Sequence, residues 1–193
     1  MALAHAVKGK KLVDTVLGVD ASTNSFAFCL MDKNGPVRWG EIKFKGGNVF
    51  ERLAYGQRHV SAMKEILKAD LVVFEGAIYV QNKKTVILLA YAFGAVISAL
   101  INDGAKVEEV SPMAWQNYIG NKALTKSEKQ EIMDATPGRI SSWYTNAYRD
   151  FRKARTMAWA KNTYGIDVDS DNVSDAVGVA HYARDKFILD LTP

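Results

Sequence analysis

Three acidic side chains occupy positions that stable folding does not itself demand. Asp20 ends the apolar run Thr15-Val-Leu-Gly-Val, Glu75 ends Leu71-Val-Val-Phe, and Asp175 lies among the small residues Ser174, Ala176, Gly178 and Ala180. Adjacent central strands bring their carboxyl ends together, so Asp20 and Glu75 are expected within a few ångströms of each other. Carboxylates that close repel, and each resists ionisation. A divalent cation removes the conflict: hard Mg²⁺ favours carboxylate oxygens and keeps waters for substrate phosphates. Two such ions, typically ~3.5–4 Å apart, activate a water and stabilise the departing oxygen of a phosphodiester. Any one of these acids alone is also what a loop or a helix cap supplies; the three together, in this order, point to metal chemistry. No histidine or cysteine cluster competes, because His5, His59 and His181 are scattered. His59 fits a helix face, and His181 follows the last acid closely enough to be considered near the site.

The elements that must position these acids can be read from periodicity. Thr15 to Asp20 reads as a buried strand, Ser25 to Met31 as a second, and Val37 to Phe44 as a third, with turn chemistry at Asp32-Lys-Asn-Gly-Pro36. These form an antiparallel meander. Asn48 caps a helix whose apolar residues from Phe50 to Ile66 recur at helical intervals. Leu71 to Phe74 is a short apolar run typical of a central parallel strand. Thr85 to Leu100 reads as a strongly apolar helix in which Gly94 is expected to permit close packing. Ala105 to Val110 is a further strand, Pro112 starts a helix, Thr125 to Met133 follows, and a last helix runs from about Asp171 to Phe187. Strands of both senses with helices on their faces make one α/β domain over residues 1–193, with 1–11 as a loose tail.

The bulk numbers agree with one such domain. The chain has 193 residues, 48% hydrophobic and 24% charged, enough to bury a core but tight for two full domains. Cys29 is the sole cysteine, which excludes an internal disulfide framework and fits a reducing cytoplasm. It sits in Phe26-Ala-Phe-Cys-Leu and reads as a core thiol. No apolar stretch is expected to reach the ~20 residues of a membrane span. The formal charge is +4, which permits nucleic acid without requiring it. Its distribution says more. From Arg139 to Lys161 the basic residues Arg149, Arg152, Lys153 and Arg155 face a single acid, Asp150, and Trp143, Tyr144 and Tyr148 lie in the same stretch. Phosphates suit such a stretch and bases stack on its rings; a solvated helix face with core aromatics is the plainer alternative.

Gly18-Val-Asp20-Ala-Ser22-Thr-Asn24 resembles the first motif of the RuvC Holliday-junction resolvases and their bacteriophage relatives. Phe74-Glu75-Gly-Ala-Ile78-Tyr79-Val-Gln-Asn82 resembles their second, and Ser174-Asp175-Ala176 with its small apolar continuation their last. Ser141-Ser-Trp143-Tyr144 and Arg152-Lys-Ala-Arg155-Thr look like the phage branch. The resemblance spans roughly Val16 to Tyr182. It implies a ribonuclease-H-like α/β fold, a mixed sheet of three antiparallel strands plus parallel strands flanked by helices. It further implies that Asp20, Glu75 and Asp175 hold two Mg²⁺ ions, with Mn²⁺ as a substitute. Two departures stand out. The family usually carries a fourth metal ligand, Asp or His, three residues before the last aspartate; that position is Asn172 here, while Asp171 lies four before, and both are candidate ligands, since either could share a helix face with Asp175. The stacking position after the glutamate is Ile78, with Tyr79 beside it.

The resemblance implies metal-assisted cleavage of branched DNA by a homodimer, whose two-fold symmetry suits a four-way junction. It makes Lys126 a candidate for steadying the scissile phosphate. Tyr79, Asn82, Lys83, Lys122, Arg149, Arg152, Lys153 and Arg155 are the DNA-contact candidates. A phage-encoded protein of this kind would act in the bacterial host cytoplasm, with no membrane partner. The competing reading is a junction-binding protein whose cleavage is weak or abolished because of Asn172. An actin-like sugar or acetate kinase shares the core topology, but its glycine-rich phosphate loops are missing here.

Overall fold

A computed structural model describes residues 13–76, 83–101 and 105–191. Strands β1 (Val16–Ala21), β2 (Ser25–Asp32) and β3 (Gly35–Lys43) form the expected meander, and β4 (Leu71–Glu75) and β5 (Lys106–Val110) complete the sheet in the order β3-β2-β1-β4-β5. β1 pairs antiparallel with β2 and parallel with β4, and β4 pairs parallel with β5. β1 is therefore the hinge of the architecture, facing a hairpin partner on one side and a crossover partner on the other. Hydrophobicity on both faces of β1, β2 and β4 follows, since such strands are covered twice.

Helices α1 (Val49–Ala62) and α2 (Lys83–Leu100) are the first two helices of the chain. Leu17, Val19, Phe26, Phe28, Val72 and Phe74 pack with Leu53, Val60, Ala92 and Val96 on this side of the sheet. The opposite face carries α3 (Pro112–Tyr118), α5 (Ser141–Tyr164) and α6 (Asp171–Phe187), where Val16, Cys29, Leu71 and Val73 meet Trp115, Ala160, Val177 and Ala180. α4 (Lys126–Ala135) sits against α5. Cys29 is fully buried, as its apolar setting suggests, and burial pushes its thiol far up.

Local chemistry explains the helix starts. Asn48 caps α1 by accepting from the Glu51 N–H at 3.0 Å, Ser111 caps α3 ahead of Pro112, and Thr125 and Glu128 form a reciprocal capping box on α4. Two expectations require correction at α2. Gly94 does not serve close packing within the chain, since a Cβ there would meet nothing within 4 Å. Nor is the chain without a stretch near membrane-spanning length: by length and composition alone, the 18 residues of α2 qualify. Only 22% of them are buried.

Candidate functional site

The period of a strand places the acids. Val16, Leu71 and Val73 belong to the core beneath α6, whereas Leu17, Val19, Val72 and Phe74 belong to the opposite one. Alternation then puts Asp20 and Glu75 on the α6 side. Val19 pairs with Phe74, so Asp20 and Glu75 are the next step along the same parallel register. α6 crosses β1 at Gly18, where a Cβ would lie 2.4 Å from the Ala180 nitrogen and 2.5 Å from the Ala176 oxygen. Only a residue without a side chain lets the helix approach this closely. That contact brings Asp175 over the strand ends. Gly178 gives the same clearance to Trp115, whose ring would lie 2.4 Å from an added Cβ. Trp115 is fully buried, and its indole Nε1 donates to Glu75 Oε2 at 2.8 Å.

The electrostatics show that the carboxyl groups act on one another. Burial, followed by the charge of Asp171, raises Asp20 from its ordinary 3.8 to about 6; Lys153 opposes the rise and Glu41 adds to it. Burial and then Asp20 raise Glu75 to about 7, against the Trp115 hydrogen bond. Burial, then Asp20, Glu75 and Asp171, raise Asp175 well above the usual carboxylate range. Such crowding of like charge is what a cation would relieve.

The side chains completing the site are engaged elsewhere. Asp171 is ion-paired with Lys153 of α5. Asn172 donates its amide to Glu41 Oε1 at 2.8 Å and to Ser25 Oγ at 3.2 Å. Glu41 also accepts from the Ser170 hydroxyl at 3.0 Å. Glu41 escaped the sequence reading. It stands opposite Ala27, which stands opposite Asp20, so the three form a row across the sheet. In donor type, Asp20, Glu75 and Asp175 match a magnesium site, all being hard oxygens. In spacing they do not: among the described residues, no group of three or more His, Cys, Asp or Glu side chains is close enough to hold a metal ion.

The expected DNA contacts fall into three groups. Arg149 is exposed, 3.9 Å from Asp150, and Lys83, Lys122 and Lys126 are exposed as well. Arg152, Lys153 and Arg155 are half-buried and engaged with Gln116, Asp171 and Glu128 respectively. Tyr79, its neighbour Ile78 and Asn82 lie outside the described residues. The aromatics among the basic residues partly bear out the plainer alternative. Trp143, Tyr144 and Tyr148 are half-buried, their rings in contact at 5.4 and 6.4 Å, and Tyr144 Oη donates to the Thr136 carbonyl. His181 does not join the carboxylates. Its Nδ1 lies 2.6 Å from Tyr164 Oη and its Nε2 3.5 Å from Asp185, in a polar network along α6.

A mixed sheet ordered β3-β2-β1-β4-β5, flanked by helices and carrying acids at the ends of its central strands, is the ribonuclease-H-like architecture. In sequence the chain is a distant relative of the RuvC resolvases. It is 27% identical over 118 residues to a crossover junction endodeoxyribonuclease RuvC of Aliarcobacter butzleri, covering 58% of this chain and 77% of that one. It is 25% identical over 122 residues to the RuvC of Caldanaerobacter subterraneus subsp. tengcongensis, covering 61% and 73%. The fold matches Thermus thermophilus RuvC in complex with Holliday junction substrate at a TM-score of 0.63 and 12% identity, covering 90% of this chain and 97% of that one. A second structure of Thermus thermophilus RuvC matches over the same shares at 0.61 and 15% identity. No family model matches the chain.

Proposed function

We propose that this protein binds branched DNA, four-way junctions above all, and that its inherited nuclease centre cleaves weakly. The observation that carries this reading is the state of the two side chains that would complete a metal site. Asp171 is already ion-paired with Lys153, and Asn172, a neutral group, turns its amide N–H donors toward Glu41. An ionised carboxylate only accepts hydrogen bonds, so Glu41 fixes which end of the Asn172 amide faces it. Lys153 also offsets the repulsion at Asp20 and Asp175, part of the work a bound cation would do. Asn172 supplies no charge to draw a metal in.

A specific observation favours the stronger reading, a full resolvase holding two Mg²⁺ ions, or Mn²⁺, on Asp20, Glu75 and Asp175 with Asp171 or Asn172. The mutual repulsion among these carboxyls is what such ions would relieve. Lys126 would then steady the scissile phosphate. Under either reading the unit is a homodimer joined through α2, whose Val86, Ile87 and Tyr91 are exposed, with Phe50 of α1 66% exposed and 6.3 Å from the Tyr91 ring. Apolar side chains so arranged favour an isologous contact. A phage-encoded origin rests on the resemblance carried by Ser141 to Tyr144 and Arg152 to Thr156 alone, and under it the host cytoplasm is where such a protein would meet its DNA. Arg149, Lys122 and Lys83 would track phosphates, and Tyr79 and Asn82 are further candidates for DNA contact.

The test is competition between a labelled four-way junction and unlabelled linear duplex at fixed salt. Retention of the junction complex against a large excess of duplex is expected; equal competition would sink the branched-DNA reading.

A further inference from the structure

Glu41 stands on β3, two strands from Asp20, and the head of α6 is gathered around it. Its Oε2 accepts from the Ser170 hydroxyl at 3.0 Å and its Oε1 from Asn172 Nδ2 at 2.8 Å. Ser170 immediately precedes α6, where a serine ordinarily accepts from the N–H groups of the first turn. It makes no such bond, and its hydroxyl is turned to Glu41 instead. Asp171, between the two, is ion-paired with Lys153 of α5. Three consecutive side chains at the head of α6 are thus held from both sides, with Asp175 one turn further on.

The Asn172 amide has two unlike ends, and Glu41 decides between them. An ionised carboxylate only accepts, so the end it binds is the N–H₂. Nδ2 also reaches Ser25 Oγ of β2, at 3.2 Å. Both partners lie on the hairpin side of β1, so Nδ2 is turned that way and Oδ1 is left over. Among the described residues Oδ1 accepts no hydrogen bond, and it is not one of the buried atoms that lack a partner. It is an oxygen that a ligand can reach. Among the described residues, no three His, Cys, Asp or Glu side chains are close enough to hold a metal ion by themselves. An ion at this centre therefore needs further oxygens, and an asparagine carbonyl is of the kind that hard cations accept. The Glu41 charge also reaches Asp20, at the other end of their row across the sheet.

We propose that Glu41 is a positioning residue of the carboxylate centre: by holding Asn172 through its N–H₂ end, it leaves Oδ1 as the end offered to a divalent cation. The inference rests on the reading of an inherited, weak nuclease centre and deepens it, since it gives Asn172 an aimed oxygen in place of a charge. Glu41→Gln keeps the shape, but its amide is both donor and acceptor and can face either end of Asn172. The choice that Glu41 imposes is then lost.

The experiment measures Mn²⁺ binding to the DNA-free protein by the electron-spin resonance of the free ion, with Glu75→Gln defining the binding that belongs to the centre. Glu41→Gln should raise Kd roughly tenfold, the lower end of what the loss of a group orienting a metal ligand does, with a cooperative thermal melt as the check on folding. Asp169 is exposed in the same groove of about 360 Å³ that Glu41 and Asn172 line, and it makes no hydrogen bond to Asn172. Asp169→Asn removes a solvent-screened charge from that groove and should change Kd little. In an Asn172→Ala background the effect of Glu41→Gln should shrink to that of Asp169→Asn, since no amide remains to be aimed. An unchanged Kd in Glu41→Gln, or the same weakening with and without Asn172, would overturn the inference. Wild-type protein showing no Mn²⁺ binding that Glu75→Gln removes would overturn it too, and the junction Kd of the same preparation then shows whether branched-DNA binding stands.

Discussion

Replacing Asp20 with Asn should stabilise the protein at neutral pH, in the absence of any added metal. The reasoning is linkage. In the unfolded chain Asp20 titrates at its ordinary 3.8, and in the folded chain at about 6, chiefly because burial penalises its charge and Asp171 repels it. A carboxyl whose folded value is raised contributes full stability below the unfolded value and loses it as pH climbs through the folded one. From about a unit above the folded value the loss is complete. At ~1.4 kcal/mol per pH unit, it amounts to roughly 3 kcal/mol. Asparagine has nearly the same shape and no charge, so Asp20→Asn should recover most of that. For a chain of this size the gain corresponds to roughly 6–12 °C in Tm. The assay is a pair of thermal melts in metal-free buffer, at pH 7.5 and near pH 4. The variant should melt higher at pH 7.5, and most of its advantage should vanish near pH 4, where the wild-type carboxyl is largely protonated in the folded state. Equal melting at pH 7.5, or an advantage of the same size at both pH values, would refute the assignment of Asp20 to a buried, like-charged cluster.

The remaining expectations follow from single contacts. Gly18→Ala forces a Cβ into the backbone of α6 at 2.4 Å, and should lower stability by roughly 3 kcal/mol or more, read by urea denaturation, because backbone cannot yield as a side chain tip does. Trp115→Phe removes the 2.8 Å donor to Glu75, so the Glu75 carboxyl should titrate above the about 7 it has now; carbon-detected NMR titration would show this, and an unchanged midpoint would contradict it. Tyr91→Asp places a charge in the exposed face of α2 and should shift sedimentation from dimer to monomer while the far-UV spectrum stays unchanged.

Much of the site was legible because strands alternate and helices repeat. The acid at the end of each central strand, the meander before it and the limits of α6 could all be read from residues 15 to 75 and 171 to 187. Glu41 could not. β2 and β3 change register between Leu30 and Met31, a bulge that nothing in the sequence announces. Counted back from the turn, where Asp32 faces Gly35, Ala27 would oppose Gly40, and Glu41 would point to the other face. The bulge moves it by one residue, and a one-residue slip reverses a side chain. The engagement of Lys153 with Asp171 was equally hidden, because the pair joins α5 to α6 across 18 residues and depends on how two helices cross. The basic stretch therefore looked more available to DNA than it is. Arg149 remains exposed, while Arg152 and Arg155 are held by Gln116 and Glu128.

The central claim is that the cleavage centre is weakened at its fourth position, and nicking of a labelled four-way junction by the wild type and Asn172→Asp, side by side in Mg²⁺ and in Mn²⁺, tests it most directly. The two proteins should bind the junction with similar Kd, while the variant, which restores a charged oxygen next to Asp171, should nick at least tenfold faster; Glu75→Gln should abolish nicking in both backgrounds. Wild-type protein that nicks the junction as fast as Asn172→Asp would contradict the account and establish Asn172 as a working member of an intact resolvase.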